Sequence, residues 1–474
     1  MRDVSVKRNA VFNVIKQLCS ILFPLITYPY ISRVLGREKY GMYSFSDSVV
    51  SYFVLIAGLG INSYAIREGS KLRDNKKRIN SFASELFTIS IFSTLFSYVG
   101  LFLIVTFSTH IHKYSSIIYT RALIIIITTI GIDWINNIFE DFTYITIRYI
   151  VFQAISLCLM FIFVRSSEDV IPYTIITVIA GAGGNVLNLF YIRRYVHIGI
   201  EFTNLKKHLK PIFILFANNI AITIYVNADI TMLGYYSTDS KVGIYALSSK
   251  VYNLTKLMIN AIIAVCIPRL AYIVNYKDKY FFRLKKIFSS LMLFALPIIV
   301  GLALLSRQIL LIVGGPQFLS GSTSLTILSI AIVGAIGGSF FSNCILLQNH
   351  EEKNILKATI IAAALNILLN FFFIPFWGTN GAAMTTVLAE VVACIVEAVF
   401  AKKYVSIKDL IQREQLFVVI GAIAVAIICI ISQKLIANNF ICLIVAMVIS
   451  MPVYLAINRK NSLVSSMLAK FIKR

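Results

Sequence analysis

Residues 243–270 read GIYALSSKVYNLTKLMINAIIAVCIPRL, a run long and apolar enough to cross a bilayer that nevertheless carries Lys250 and Lys256 well inside its ends. Each Lys near the centre of a spanning helix costs about 2.5 to 3.5 kcal/mol on insertion scales, so the two together nearly cancel the gain from the surrounding Leu, Ile and Val. At 3.6 residues per turn Ser249, Asn253, Lys256 and Asn260 form one stripe, with Lys250 on its flank and an apolar face opposite. Three more stripes share this character: Asn13, Lys16, Gln17 and Ser20; Asp133, Asn136, Asn137 and Glu140; and Thr386, Glu390 and Glu397. Two chemistries fit them. The charges either pair with one another as a packing network, or line a water-filled cavity that keeps the lysines cationic, with an anionic group as their intermittent partner. Asp47, Asp133, Asp229, Glu390 and Glu397 divide the same way, between carriers of a coupling proton or Na+ and neutralisers of Arg121 and the lysines.

The elements that must position these residues are membrane helices. The chain has 474 residues, 58% hydrophobic and only 14% charged, with a mean hydropathy of +0.82, which marks an all-α polytopic membrane protein. About fourteen apolar runs between Ala10 and Ile457 approach or exceed the roughly 20 residues a spanning helix needs. The first run holds Lys16, Pro24 and Pro29 and no small-residue cleavage site, so it reads as a retained span. Lys and Arg number 32 on the side of both termini and the even-numbered loops against 8 on the other, which places both termini in the cytoplasm. The net charge of +23 is therefore mostly topology information; KLRDNKKR (71–78) and KKHLK (206–210) also suit anionic headgroups, and no soluble basic surface suits nucleic acid. The seven Cys lack metal or redox spacing, His110 and His112 stand without acidic neighbours, and GAGG (181–184) reads as close helix packing or a hinge; neither a metal nor a cofactor is expected.

The chain also repeats itself. Leu-Gly followed by Gly-x-Tyr occurs in ISRVLGREKYGMYSFSDSVV (31–50) and in DITMLGYYSTDSKVGIYALSSKVY (229–252), and YIRRYVHI (191–198) matches FAKKYVSI (400–407). These matches predict two pseudo-symmetric six-helix bundles, 1–205 and 206–407, around a central cavity, with an extra helix pair and tail at 408–474. Taken with AIREGSKLRDNKKRI (65–79) and LNILLNFFFIPFWGTNGAAMTTVLAE (365–390), the boxes at 29–50 and 229–234 make residues 7–405 resemble the Wzx-type polysaccharide flippases, of the superfamily shared with multidrug and toxic compound extrusion transporters and the murein-precursor flippase.

The resemblance implies transfer of undecaprenyl-pyrophosphate-linked oligosaccharide units across a bacterial cytoplasmic membrane, for O-antigen or capsule, within membrane lipid and beside a polysaccharide polymerase and chain-length regulator. On that footing Lys16, Lys250 and Lys256 are expected to hold the pyrophosphate, and Asn13, Gln17, Asn253 and Asn260 to meet sugar hydroxyls as donors and acceptors. A drug exporter of the same superfamily is the alternative, although cationic drugs favour acidic walls without central lysines. A membrane polymerase is a third reading, but the connections here are short and no nucleophile, base and orienting group converge.

Overall fold

The structure is a computed structural model that describes residues 6–459 together with Asn461, Val464 and Ser465. It is all-α among the described residues, and the chain divides into two compact units, Met1–Gly243 and Ile244–Arg474. Among the described residues eleven helices are long and apolar enough to cross a membrane, and a shorter apolar helix covers Ser115–Gly131. Two of the eleven are broken by a glycine: Gly36, at φ 68 and ψ 174, inside α1 (Val6–Gly58), and Gly378, at φ 52 and ψ −125, inside α15 (Glu352–Ala401). A side chain at either position would be strained in that backbone, so glycine is what lets one continuous apolar stretch serve as two spans. Counting both halves of each broken helix and the shorter helix, each of the fourteen expected runs falls on a helix, although the one at 117–139 is interrupted after Gly131.

The first unit continues from α1 through α2 (Ile61–Gly69), α3 (Lys76–Phe107), the single turn α4 (Thr109–His112), α5 (Ser115–Gly131), the short α6 (Trp134–Ile138), α7 (Phe142–Phe163), α8 (Val170–Val178), α9 (Gly184–Tyr191) and α10 (Leu205–Tyr236). A wide turn at Ile179–Gly183 joins α8 to α9 and lets Gly183 and Gly184 pack against α7 side chains, so GAGG is a packing device. A buried core of Ala65, Ile79, Leu86, Ile135, Ile138, Ile192 and Ile212 ties α2, α3, α6, the end of α9 and α10 together. The opposite face of α3 presents Phe92, Leu95, Phe96 and Val99, 49–70% exposed, as a lipid-facing surface presents apolar side chains.

α11 (Asp239–Ile273) begins in the first unit and carries the chain into the second. There α12 (Lys277–Leu304), α13 (Ser306–Val313), α14 (Ser322–Phe340), α15, α16 (Glu414–Leu435) and α17 (Asn439–Ile457) follow. The last pair packs on α12 through Leu293, Val418, Val425, Ala446 and Tyr454, whose hydroxyl donates to the Leu293 carbonyl at 2.7 Å.

The internal repeat is written into hydrogen bonds. In the first unit the Tyr195 hydroxyl donates to Asp141, the cap of α7, at 2.9 Å, and Arg194 pairs with the same carboxylate. In the second, Tyr404 donates to Glu351, immediately before α15, at 2.5 Å, and Lys403 pairs with it at 3.3 Å. Tyr404 and Lys403 together hold the Glu351 carboxyl below the usual carboxylate range. The Gly-x-Tyr copies meet directly: a Cβ on Gly41 would lie 1.8 Å from the Asp239 carbonyl oxygen, and one on Gly243 would lie 1.9 Å from that of Arg37. The Leu-Gly copies diverge, because Gly36 kinks α1 while Gly234 stays inside α10 with the Phe45 ring pressed against it.

Candidate functional site

The first unit contains a cavity of 530 Å³, walled by parts of α1, α2, α3, α5, α6, α7 and α9. Lys16 on α1 and Arg148 on α7 bring two cations to it, Asp133 one carboxylate, and Asn62, Ser90, Thr128 and Asn185 neutral polar groups. Tyr149, Phe152 and Trp134 give it aromatic surface. Lys16 lies over the Tyr149 ring, 5.7 Å from its centroid, and has no ion pair among the described residues.

Arg148 is held differently. One terminal nitrogen is ion-paired with Asp133; the other, Nη1, is buried and has no hydrogen-bond partner among the described residues. The guanidinium carbon lies 5.3 Å from the Tyr144 ring centroid, and the aliphatic stem runs across Gly184, where a Cβ would come within 2.8 Å of Cγ. The Arg148 side chain is 8% exposed and that of Asp133 40%, so the carboxylate is wet on the cavity side while the guanidinium is sealed in the wall. An anion in the cavity would meet the Lys16 ammonium and, by displacing the Asp133 carboxylate, the Arg148 guanidinium, a pairing suited to oxyanions such as phosphate.

Asp133 does not reach this place on a continuous helix face. α5 ends at Gly131, and Ile132, at φ 45, turns the chain. The expected stripe is thereby scattered: Asp133 faces the cavity, Asn137 bonds back to the Asp133 carbonyl at 3.2 Å, and Glu140, itself at φ 55, pairs with Arg73 at 2.7 Å. Asn136 is fully buried and donates to Asn188 at 2.6 Å, while Asn188 donates to the Gly131 carbonyl, which pins the turn to α9.

The second unit holds its own polar group. Lys256 on α11 forms an ion pair with Glu390 on α15 at 2.7 Å, Tyr252 donates to the same oxygen at 2.8 Å, and Lys256 stands over the Tyr252 ring. Glu397 lies buried two turns beyond Glu390, against Gly338. Asn253 is exposed and bonds Ser249 at 3.2 Å; the side-chain Oδ1 of Asn260 is buried without a partner among the described residues; Lys250 is half-buried on the same helix. Of the three lysines expected to form a cationic patch, Lys16 belongs to the first unit and Lys250 and Lys256 to the second. Gln17 is exposed on α1, whereas the side chain of Asn13 lies outside the described residues. Among the remaining carboxylates Asp47 pairs with Arg121 at 2.7 Å, and Asp229 is buried in α10. His110 and His112 bond the Gly234 and Val105 carbonyls at 2.9 and 3.2 Å.

Sequence reasoning missed Arg148, which stands at the very start of an apolar run and was counted with the loop before it. The signal was present in Asp133: a carboxylate at the end of one span needs a cation, and Arg148 is the first basic residue after it in the chain.

The model of a family described as polysaccharide biosynthesis protein matches residues 6–274. An Escherichia coli K12 protein named "Putative O-antigen transporter" is 24% identical over 402 residues, covering 82% of this chain and 94% of its own. The Staphylococcus aureus capsular polysaccharide biosynthesis protein CapF is 23% identical over 413 residues, covering 83% and 97%. Among solved structures, the lipid II flippase MurJ in an inward closed conformation superposes with a TM-score of 0.75 at 18% identity, covering 98% of this chain and all of that one. An inward-facing multidrug resistance MATE transporter gives 0.62 at 15%, covering 86% and 96%. These two likenesses fix the fold.

Proposed function

The chain belongs to the polysaccharide biosynthesis protein family, and from that membership we propose that it flips an undecaprenyl-pyrophosphate-linked oligosaccharide from the inner to the outer leaflet of a bacterial cytoplasmic membrane, by alternating access. The observation that carries the reading is the 530 Å³ cavity, where Lys16 has no carboxylate partner among the described residues and Arg148 is held by Asp133 alone among the described carboxylates. Charges of one sign persist inside an apolar unit when a ligand of the other sign visits them. In this reading Asp133 pairs with Arg148 while the cavity is empty, and the pyrophosphate takes its place on arrival; Lys16 supplies a second contact. The cavity lies within the roughly 300 to 1,000 Å³ usual for small-molecule sites, and Asn62, Ser90, Thr128 and Asn185 meet sugar hydroxyls while the lipid tail stays in the bilayer.

The names of relatives, an O-antigen transporter and a capsular polysaccharide biosynthesis protein, support this substrate class, for O-antigen or capsule. Drug export is the weaker reading, since a cationic drug would meet Lys16 unscreened. In the second unit Lys250, Lys256, Asn253 and Asn260 are candidate contacts to the substrate, and Asp47, Asp229, Glu390 and Glu397 are candidate carriers of a coupling proton or sodium ion. Both termini face the cytoplasm, and a polymerase and chain-length regulator act on the flipped product at the opposite face. Reconstituted protein tests this directly: purified chain in liposomes should expose fluorescent polyprenyl-pyrophosphate-linked sugar to an external quencher, and K16Q/R148Q should not. Equal exposure by both would exclude the cavity as the substrate site.

A further inference from the structure

We propose that Tyr64, His208 and Glu85 form a proton-binding site whose occupancy is linked to anion binding in the 530 Å³ cavity; this rests on the reading of that cavity given above. The three side chains come from three helices, α2, α10 and α3, and form an unbroken chain. The Tyr64 hydroxyl lies 2.8 Å from His208 Nδ1, and His208 Nε2 lies 2.7 Å from Glu85 Oε2. His208 and Glu85 are each 1% exposed. Ionisable side chains buried this completely near the ends of membrane helices are costly to keep, and the first cavity uses none of the three.

The geometry accepts a proton without moving a heavy atom. With neutral imidazole, Nε2–H donates to the carboxylate and the Tyr64 hydroxyl donates to Nδ1. With imidazolium, Nδ1–H donates to the Tyr64 oxygen instead, and the hydroxyl hydrogen turns away. Every charged neighbour can be named. Arg67 and Glu68 face the chain from α2, Lys71 from the segment after it, Arg78 from α3 and Lys207 from α10. Glu68 is occupied by Arg67 at 2.9 Å and Lys71 at 2.8 Å, while Lys207 reaches Glu85 at 3.3 Å. A second cavity, of 420 Å³, reaches both Glu85 and His208 and gives water a route to them.

The link to the first cavity is α2 itself. It is nine residues long and follows two left-handed residues, Leu59 at φ 43 and Gly60 at φ 76, so it is set apart from α1 by a sharp break. Asn62 at its start lines the first cavity, and Tyr64, two residues on, holds His208. A proton that reorients the Tyr64 hydroxyl, and adds positive charge beneath α2, therefore acts on the cavity wall. Linkage requires the reverse as well: an anion in the cavity favours the protonated chain.

Two measurements test this, with farnesyl pyrophosphate as the probe and the full chain in nanodiscs. Histidine nitrogen NMR, assigned with H208Q, should show His208 imidazolium growing between pH 8 and pH 5.5, and less of it in E85Q at the same pH. Probe binding at pH 6 relative to pH 8 should be about fivefold more favourable in the wild type than in H208Q. Y64F, which removes one oxygen, should keep the His208 titration and lose that difference. A His208 that stays neutral throughout, or a pH ratio unchanged in both H208Q and Y64F, would overturn the proposal. Failure of the probe to bind at any pH would instead count against the cavity reading, while the His208 titration would still decide whether a proton site exists.

Discussion

Asp133→Asn removes one charge and almost no volume, and it asks whether the carboxylate stands in for the substrate. Removing one partner of a fully buried ion pair costs about 3 to 5 kcal/mol, because the other charge is left without compensation. Arg148 is sealed at 8% exposed, but Asp133 is 40% exposed, and water in the cavity already screens the pair. We therefore expect the empty D133N protein to lose only about 1 to 2 kcal/mol of stability. That loss belongs to the empty state. An anion that replaces the carboxylate recovers it, so pyrophosphate binding should tighten by the same amount, about five- to thirtyfold. Thermal unfolding of the detergent-solubilised protein over a farnesyl pyrophosphate titration reads both quantities: D133N should melt lower without ligand and show the larger ligand-induced rise. A lower melting temperature together with equal or weaker binding would refute the exchange, and would make Asp133 a contact to the substrate itself or a purely structural partner.

Lys16→Gln should weaken pyrophosphate binding about ten- to hundredfold with unchanged membrane levels, as expected for one charge-assisted contact, and Lys16→Glu should abolish it; binding and immunoblots check both. Lys256→Met should destabilise the protein by about 3 kcal/mol, since it strands Glu390, which is 8% exposed, while K256M/E390M should return close to wild type; comparable losses in both would show that the Lys256–Glu390 pair is not what the single variant removes. Reporter fusions after Arg474 and within 71–78 should both be active only as cytoplasmic reporters, and periplasmic activity at either would contradict the orientation.

The fold was legible because apolar length is a coarse signal: each run is long enough to span, and the two glycine breaks fall between runs that were already separate. The repeat was legible in short boxes, and its firmest expression is the matching pairs Tyr195–Asp141 and Tyr404–Glu351, whose tyrosines the boxes contained and whose carboxylates they did not. The site was only partly legible. Lys16 and Asp133 were identified from helical spacing and do line one cavity, yet the stripe through Asn136 and Glu140 assumed a helix that Ile132 ends. Arg148, Glu85 and His208 escaped because each sits near the end of an apolar run, where a charge looks like loop chemistry. Their burial comes from neighbours on other helices, Gly184 beneath Arg148 and Tyr64 beside His208, and helical periodicity within one segment carries no record of such contacts.

The most direct test of the central claim is sugar-resolved flipping in proteoliposomes containing the purified chain and a defined undecaprenyl-pyrophosphate oligosaccharide. The account predicts protein-dependent appearance of the oligosaccharide in the opposite leaflet, inhibited by soluble polyprenyl pyrophosphate and lost in K16Q/R148Q at unchanged protein density. Flipping that persists in K16Q/R148Q with the same pyrophosphate sensitivity would contradict it.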